Sequence, residues 1–214
     1  EASAFFSSNT APGAGVCSGY YTQNHTQNSR QKEIKSYCYF LDEYIRFIIS
    51  KTKDIQEAKY LAYDRMQSAY LLLNNYEENQ QNIDIYSDSI MQYGDILLEH
   101  DGDVEKAREL FARSLLIRRD SINTYGKTPS SLTGLAISID RLATLALKHL
   151  VNDDFERKSF SESLSIRKLL IDEYGETPAR LKDFGVSIKR LGNIALDQDV
   201  DTTAAKAHFT ESLS

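Results

Sequence analysis

Phe111–Pro129 reads FARSLLIRRDSINTYGKTP, and 49 residues later Phe160–Pro178 reads FSESLSIRKLLIDEYGETP, agreeing at 10 of 19 positions. The register runs on without a gap. Leu132, Ser138, Ile139, Arg141, Leu142, Ala146 and Leu147 recur as Leu181, Ser187, Ile188, Arg190, Leu191, Ala195 and Leu196. Phe160-Ser-Glu-Ser-Leu-Ser recurs as Phe209-Thr-Glu-Ser-Leu-Ser214. Upstream, Asp54, Ala58, Leu61 and Tyr76 precede Asp103, Ala107, Leu110 and Tyr125, and Tyr37 and Tyr44 precede Tyr86 and Tyr93. A fixed period of this length is the signature of a repeat architecture.

Each unit predicts two helices. Thr128 suits an N-cap and Pro129 the first helical position, where its missing N–H costs nothing. Leu132, Leu135, Ile139, Leu142, Leu145 and Ala146 then follow at three- and four-residue spacing, the mark of an amphipathic helix. Polar residues His149–Asp153 interrupt it. A second apolar stripe runs through Phe155, Phe160, Leu164, Ile166, Leu170, Ile171 and Tyr174, and Gly175 supplies a left-handed stop before Thr177-Pro178. Helices near 20 residues with loops near 5 account for the period. The reading is an all-α, αα-hairpin repeat solenoid of about 3.5 units, at 36–79, 80–128, 129–177 and 178–214. Residues 1–35 read as a polar arm or linker, with apolar islands at Phe5-Phe6, Val16-Cys17 and Tyr20-Tyr21.

The 214 residues are 41% hydrophobic, ordinary for a folded chain, and no apolar run is long enough to span a membrane. Residues 1–107 carry 9 basic and 16 acidic side chains and residues 108–214 carry 16 and 15, so neither half is a basic platform for nucleic acid. Cys17 and Cys38 are too few for a disulfide framework or a zinc site, which points to a reducing, cytoplasmic setting. With Glu1 in place of Met, the sequence reads as an excerpt of a longer chain. Ser214 aligns with Ser165, mid-helix, so the last unit reads as cut short, with self-association through it as a consequence.

Arg190-Leu-Gly-Asn-Ile-Ala-Leu followed by Ala205-x-x-x-Phe209-x-x-Ser212-Leu resembles the tetratricopeptide repeat, as do Tyr93-Gly94 with Ala107-x-x-x-Phe111-x-x-Ser114-Leu. The 49-residue unit departs from that family's usual 34, its Pro is displaced into the Gly-x-Thr-Pro turn, and Glu156 replaces the small residue at Ala107 and Ala205. The resemblance implies a right-handed superhelix whose concave surface, lined by the first helix of each unit, binds a protein or peptide. The groove-facing positions it implies are Tyr39, Asp42 and Arg46; Gln92, Asp95 and Glu99; Asp140, Arg141 and Thr144; and Lys189, Arg190 and Asn193. These run from acidic in the middle to basic at the C-terminal end. Lys189 and Asn193 match one helix of the family's carboxylate clamp, but no upstream helix completes it.

Catalysis finds no local support. Asp197-Gln-Asp199-Val-Asp201 begins like a calcium loop, but Thr202 and His208 stand where that loop needs Gly and Glu. His100 and His149 are equivalent loop positions near acidic residues, without a ligand set around them. There is no phosphate-binding Gly loop and no nucleophile elbow. The expected function is therefore a non-enzymatic, cofactor-free protein- or peptide-binding scaffold. The alternative is a sensory or regulatory repeat module of a larger signalling protein.

Overall fold

The computed structural model describes residues 25–76, 79–149, 153–197 and 202–211. The apolar islands of the arm, the Asp199–Asp201 segment and the chain end at Ser214 lie outside the described residues, as does the side chain of His149. Among the described residues the protein is all-α, with eight α-helices that pack consecutively: α1 (His25–Phe47), α2 (Ile55–Asn75), α3 (Gln80–Ile96), α4 (Val104–Tyr125), α5 (Pro129–His149), α6 (Asp153–Tyr174), α7 (Pro178–Asp197) and α8 (Thr202–Glu211). Odd-numbered members are first helices of a repeat unit and even-numbered members second helices. Helix α1 begins at His25, so residues 25–35 of the expected arm are helical, with Ile34 packed on the first core.

The helix starts are chemically explicit. The N–H groups of Glu57, Asn82, Lys106, Ser131 and Arg180 donate to the side-chain oxygens of Asp54, Asn79, Asp103, Thr128 and Thr177. Each satisfies one of the orphan donors of a first turn. At α5 the bond is reciprocated, because Thr128 N–H donates to Ser131 Oγ at 2.9 Å. Between α4 and α5, and between α6 and α7, only three residues intervene, and Gly126 and Gly175 take positive φ there.

Within the first two units the connections are tighter still. Helices α1 and α3 each end in a π-helical turn, Ile48–Thr52 and Leu97–Asp101. The next residue, Lys53 or Gly102, is left-handed and donates its N–H to the carbonyl five residues back. Two residues then suffice to reach α2 or α4. The loops near five residues are therefore shortened to two after each π-helical turn, which absorbs what a loop would otherwise span, and to three between α4 and α5 and between α6 and α7.

The core repeats with the sequence. Gly94 on α3 sits so close to α4 that an added Cβ would stand 2.6 Å from Phe111 Cε1, and Phe111 is fully buried. The next unit places Ala143 against Phe160. The first unit reverses the sizes, with Ile45 on α1 and Ala62 on α2, both fully buried in one cluster. One large and one small partner thus share a fixed gap between the helices of a pair.

Serine marks the same register. Ser89, Ser138 and Ser187 donate to the carbonyls of Ile85, Gly134 and Asp183, one turn back. Ser114 and Ser163 on second helices donate to the carbonyls of Ser87 and Ala136. In the first unit Arg65 Nε does that work, reaching the Cys38 carbonyl at 3.0 Å. The stripe expected on α5 is buried or half-buried throughout. On α6 the stripe begins later than expected, because Phe155 is exposed and Glu156 beside it is buried instead.

Candidate functional site

The twelve expected groove residues lie on the first helices, Glu99 in the π-helical turn that ends α3, and six of them pair with the neighbouring first helix. Asp42 on α1 accepts from Gln92 Nε2 on α3 at 3.0 Å and pairs with Arg65 at 3.2 Å and Arg46 at 3.0 Å. Gln92 Oε1 in turn accepts from Arg65 at 2.9 Å. One unit on, Arg141 Nε on α5 stands 2.9 Å from Asp95 Oδ1 on α3, an ion pair off the line of a good hydrogen bond. In the third step, Arg190 on α7 and Arg167 on α6 both donate to Asp140 Oδ2, at 2.6 and 2.8 Å. Arg190 also lies over the Phe160 ring.

These are rungs between successive first helices, and their electrostatics fit that role. Asp140 is buried, so its charge is held by two guanidinium groups. Burial pushes the Asp95 carboxyl up to about 6, with Arg141 pulling the other way and Glu99 adding to the rise. Arg118 on α4 is another buried cation, paired with Asp84 and Asp88. Its guanidinium passes over Gly134, where an added Cβ would meet Nη1 at 1.9 Å. Asp42, Asp95, Asp140, Arg141 and Arg190, all expected in the groove, are thus each paired within the protein.

Of the twelve, the side chains of Glu99, Thr144, Lys189 and Asn193 make no hydrogen bond or ion pair among the described residues. Tyr39 is 49% exposed and meets only Gln81, at 3.4 Å. By the repeat register Tyr39 corresponds to Asp88, Ile137 and Val186. Ile137 and Val186 are each 41% exposed, and Asp88 is exposed beside Arg118. Of this column Tyr39 was expected from the sequence, whereas Asp88, Ile137 and Val186 were missed. The 49-residue offset applied to Tyr39 alone would have found them. Around it Lys32, Gln81, Ser130 and Ala179 form a second exposed column, and Ser50, Glu99 and Lys148 a third. The solvent face of the first helices thus carries a central column that is apolar at Tyr39, Ile137 and Val186 and acidic at Asp88, flanked by columns that are mostly polar or charged.

Other chemistry is thin. Among the described residues, no group of three or more His, Cys, Asp or Glu is placed to hold a metal ion, and no helix is long and apolar enough to cross a membrane. Cys38 is fully buried and its thiol is pushed up to about 11, chiefly by burial, which makes it a poor nucleophile. Compared with protein-family models and with curated proteins, the chain matches none.

Proposed function

We propose that the chain is a protein- or peptide-binding scaffold of tetratricopeptide-like solenoid form, acting through the exposed strip of its first helices. The observation that carries this reading is the column of Tyr39, Ile137 and Val186, large apolar side chains left open at one repeat position on three separate helices. Helix α3 packs on both α1 and α5, whereas successive second helices are not packed together to that extent among the described residues. Such an arrangement turns α1, α3 and α5 toward the inner side of a curve and favours a groove there.

The bound segment would be extended or helical, with apolar side chains on Ile137 and Val186 and an acidic group toward Lys148 and Lys189. The paired rungs below the strip set the spacing of the helices and take no direct part in recognition. Enzymatic activity forms no part of this proposal, and the partner is protein, not nucleic acid or membrane. The test is a randomised peptide library selected on the wild-type chain, with selected peptides then titrated against Ile137→Glu/Val186→Glu. Loss of binding by at least tenfold at unchanged helicity is expected. Undiminished binding, or binding lost only on altering the Asp101–Asp103 turn, would overturn the reading.

A further inference from the structure

The first unit presents aromatic positions that later units bury in whole or in part. Tyr37, Phe40 and Phe47 on α1 are 42%, 61% and 52% exposed, and Tyr44 is 36% exposed. In the 49-residue register Tyr37 corresponds to Tyr86, which is 3% exposed, and Phe47 to Ile96, Leu145 and Ile194, none above 4%. Phe40 takes the place of Ser89, Ser138 and Ser187, all fully buried. A small residue is needed there in later units because the preceding second helix presses on it; Ser114 Oγ and Ser138 Oγ are 3.1 Å apart. A phenylalanine at that position leaves no room for another unit stacked in the same register.

What replaces it is a stripe with its own order. Glu33, Tyr37, Phe40, Tyr44, Phe47 and Lys51 are all exposed and follow one another at alternating spacings of four and three. That is the spacing of a helix–helix seam. Phe40 stacks on Tyr44 and Tyr44 on Phe47, with centroids 5.7 and 6.4 Å apart, so the rings are already ordered. The stripe is symmetric about residue 42, with an acid at one end and a base at the other. Among the described residues Glu33 accepts from Ser29 alone, and the Lys51 side chain has no partner.

We propose that two copies of this protein associate through α1, paired antiparallel about a twofold axis near residue 42. Tyr37 then faces Phe47 of the second copy, Phe40 faces Tyr44, and Glu33 at each end meets Lys51. The interface is isologous and closes on itself. Residues 25–76 carry eight basic and six acidic side chains, so the two faces meet without net acidic repulsion; the acidic excess of the first half lies in residues 77–107, with nine acidic residues and one basic. Burying the open parts of these four rings and of exposed Tyr60 removes about 500 Å² per copy, or about 1,000 Å² in all. That is the lower end of a specific interface and points to a reversible dimer.

Sedimentation equilibrium of the full chain over a range of concentrations tests this, with helicity followed by circular dichroism. The wild type should pass from monomer to dimer below about 100 μM. Phe40→Asp/Phe47→Asp should stay monomeric at unchanged helicity, since both rings are more than half exposed in one copy. Glu33→Lys and Lys51→Glu should each weaken the dimer several-fold, and the two together should restore it. A wild type that stays monomeric, because another segment or another partner covers α1, overturns the proposal. So does a dimer that survives the Asp pair, or one weakened by the single charge reversals but not recovered by the double.

Discussion

Exchanging the large and small partners between α3 and α4 perturbs the packing logic of the repeat at its tightest point. Phe111→Ala removes a fully buried ring, and such truncations cost about 3–5 kcal/mol. Gly94→Ile inserts a branched side chain where even a Cβ would stand 2.6 Å from the Phe111 ring, and overpacking of this kind costs about 1–3 kcal/mol or more. If the two sites were independent, the double variant would lose about 4–8 kcal/mol, comparable to the whole stability of an ordinary domain. The first unit, however, already contains the exchanged pair as Ile45 and Ala62. Gly94→Ile/Phe111→Ala should therefore fold, at a loss of no more than about 2 kcal/mol, giving a coupling of at least about 2 kcal/mol. Urea denaturation of the wild type, both single variants and the double variant measures it. A double variant that costs the sum of the singles would refute a shared gap filled alternately from either helix.

Three other outcomes follow from named side chains. Asp140→Ala strands two guanidinium groups and should cost about 3–5 kcal/mol, whereas Arg190→Ala, at the exposed end of the same rung, should cost under about 2; paired thermal melts distinguish them. Because burial raises the Asp95 carboxyl to about 6, the folded state holds that proton more tightly than the unfolded state. Its contribution to stability is therefore greatest below about pH 4 and is lost as pH rises through about 6. Asp95→Asn should be more stable than wild type at pH 7, by about 1–2 kcal/mol, with the difference vanishing near pH 4 in a series of denaturation curves. Lys53 holds a left-handed φ of 57° where the next unit uses Gly102. Lys53→Gly should raise stability by about 0.5–1 kcal/mol and Gly102→Ala should lower it by a similar amount, as read by thermal melting.

The helix starts and stops were legible because they depend on single residues in local geometry. Thr128-Pro129, Thr177-Pro178 and Gly175 act within one turn, and the α5 stripe from Leu132 to Ala146 states its buried face directly. Partnership between charges was not legible. Asp42–Gln92, Asp95–Arg141 and Asp140–Arg190 are separated by 50, 46 and 50 residues, so their closeness follows only from how adjacent first helices pack. Six of the twelve expected positions are paired between first helices for that reason. The π-helical turns were hidden too, since one added backbone residue per turn leaves no mark in side-chain periodicity. Exposure at Phe40 was readable in principle: a phenylalanine where every later unit has serine already says that the neighbour differs.

The claim that the first-helix strip is the recognition surface is tested most directly by covalent lysine labelling of the chain with and without a selected peptide, read by mass spectrometry. Lys189 is exposed on α7, three residues from Val186, and its side chain has no hydrogen bond or ion pair among the described residues, whereas Lys168 on α6 is exposed on a second helix. The bound peptide should protect Lys189 several-fold and leave Lys168 at its free rate. Protection of Lys168 with Lys189 unchanged would contradict the account.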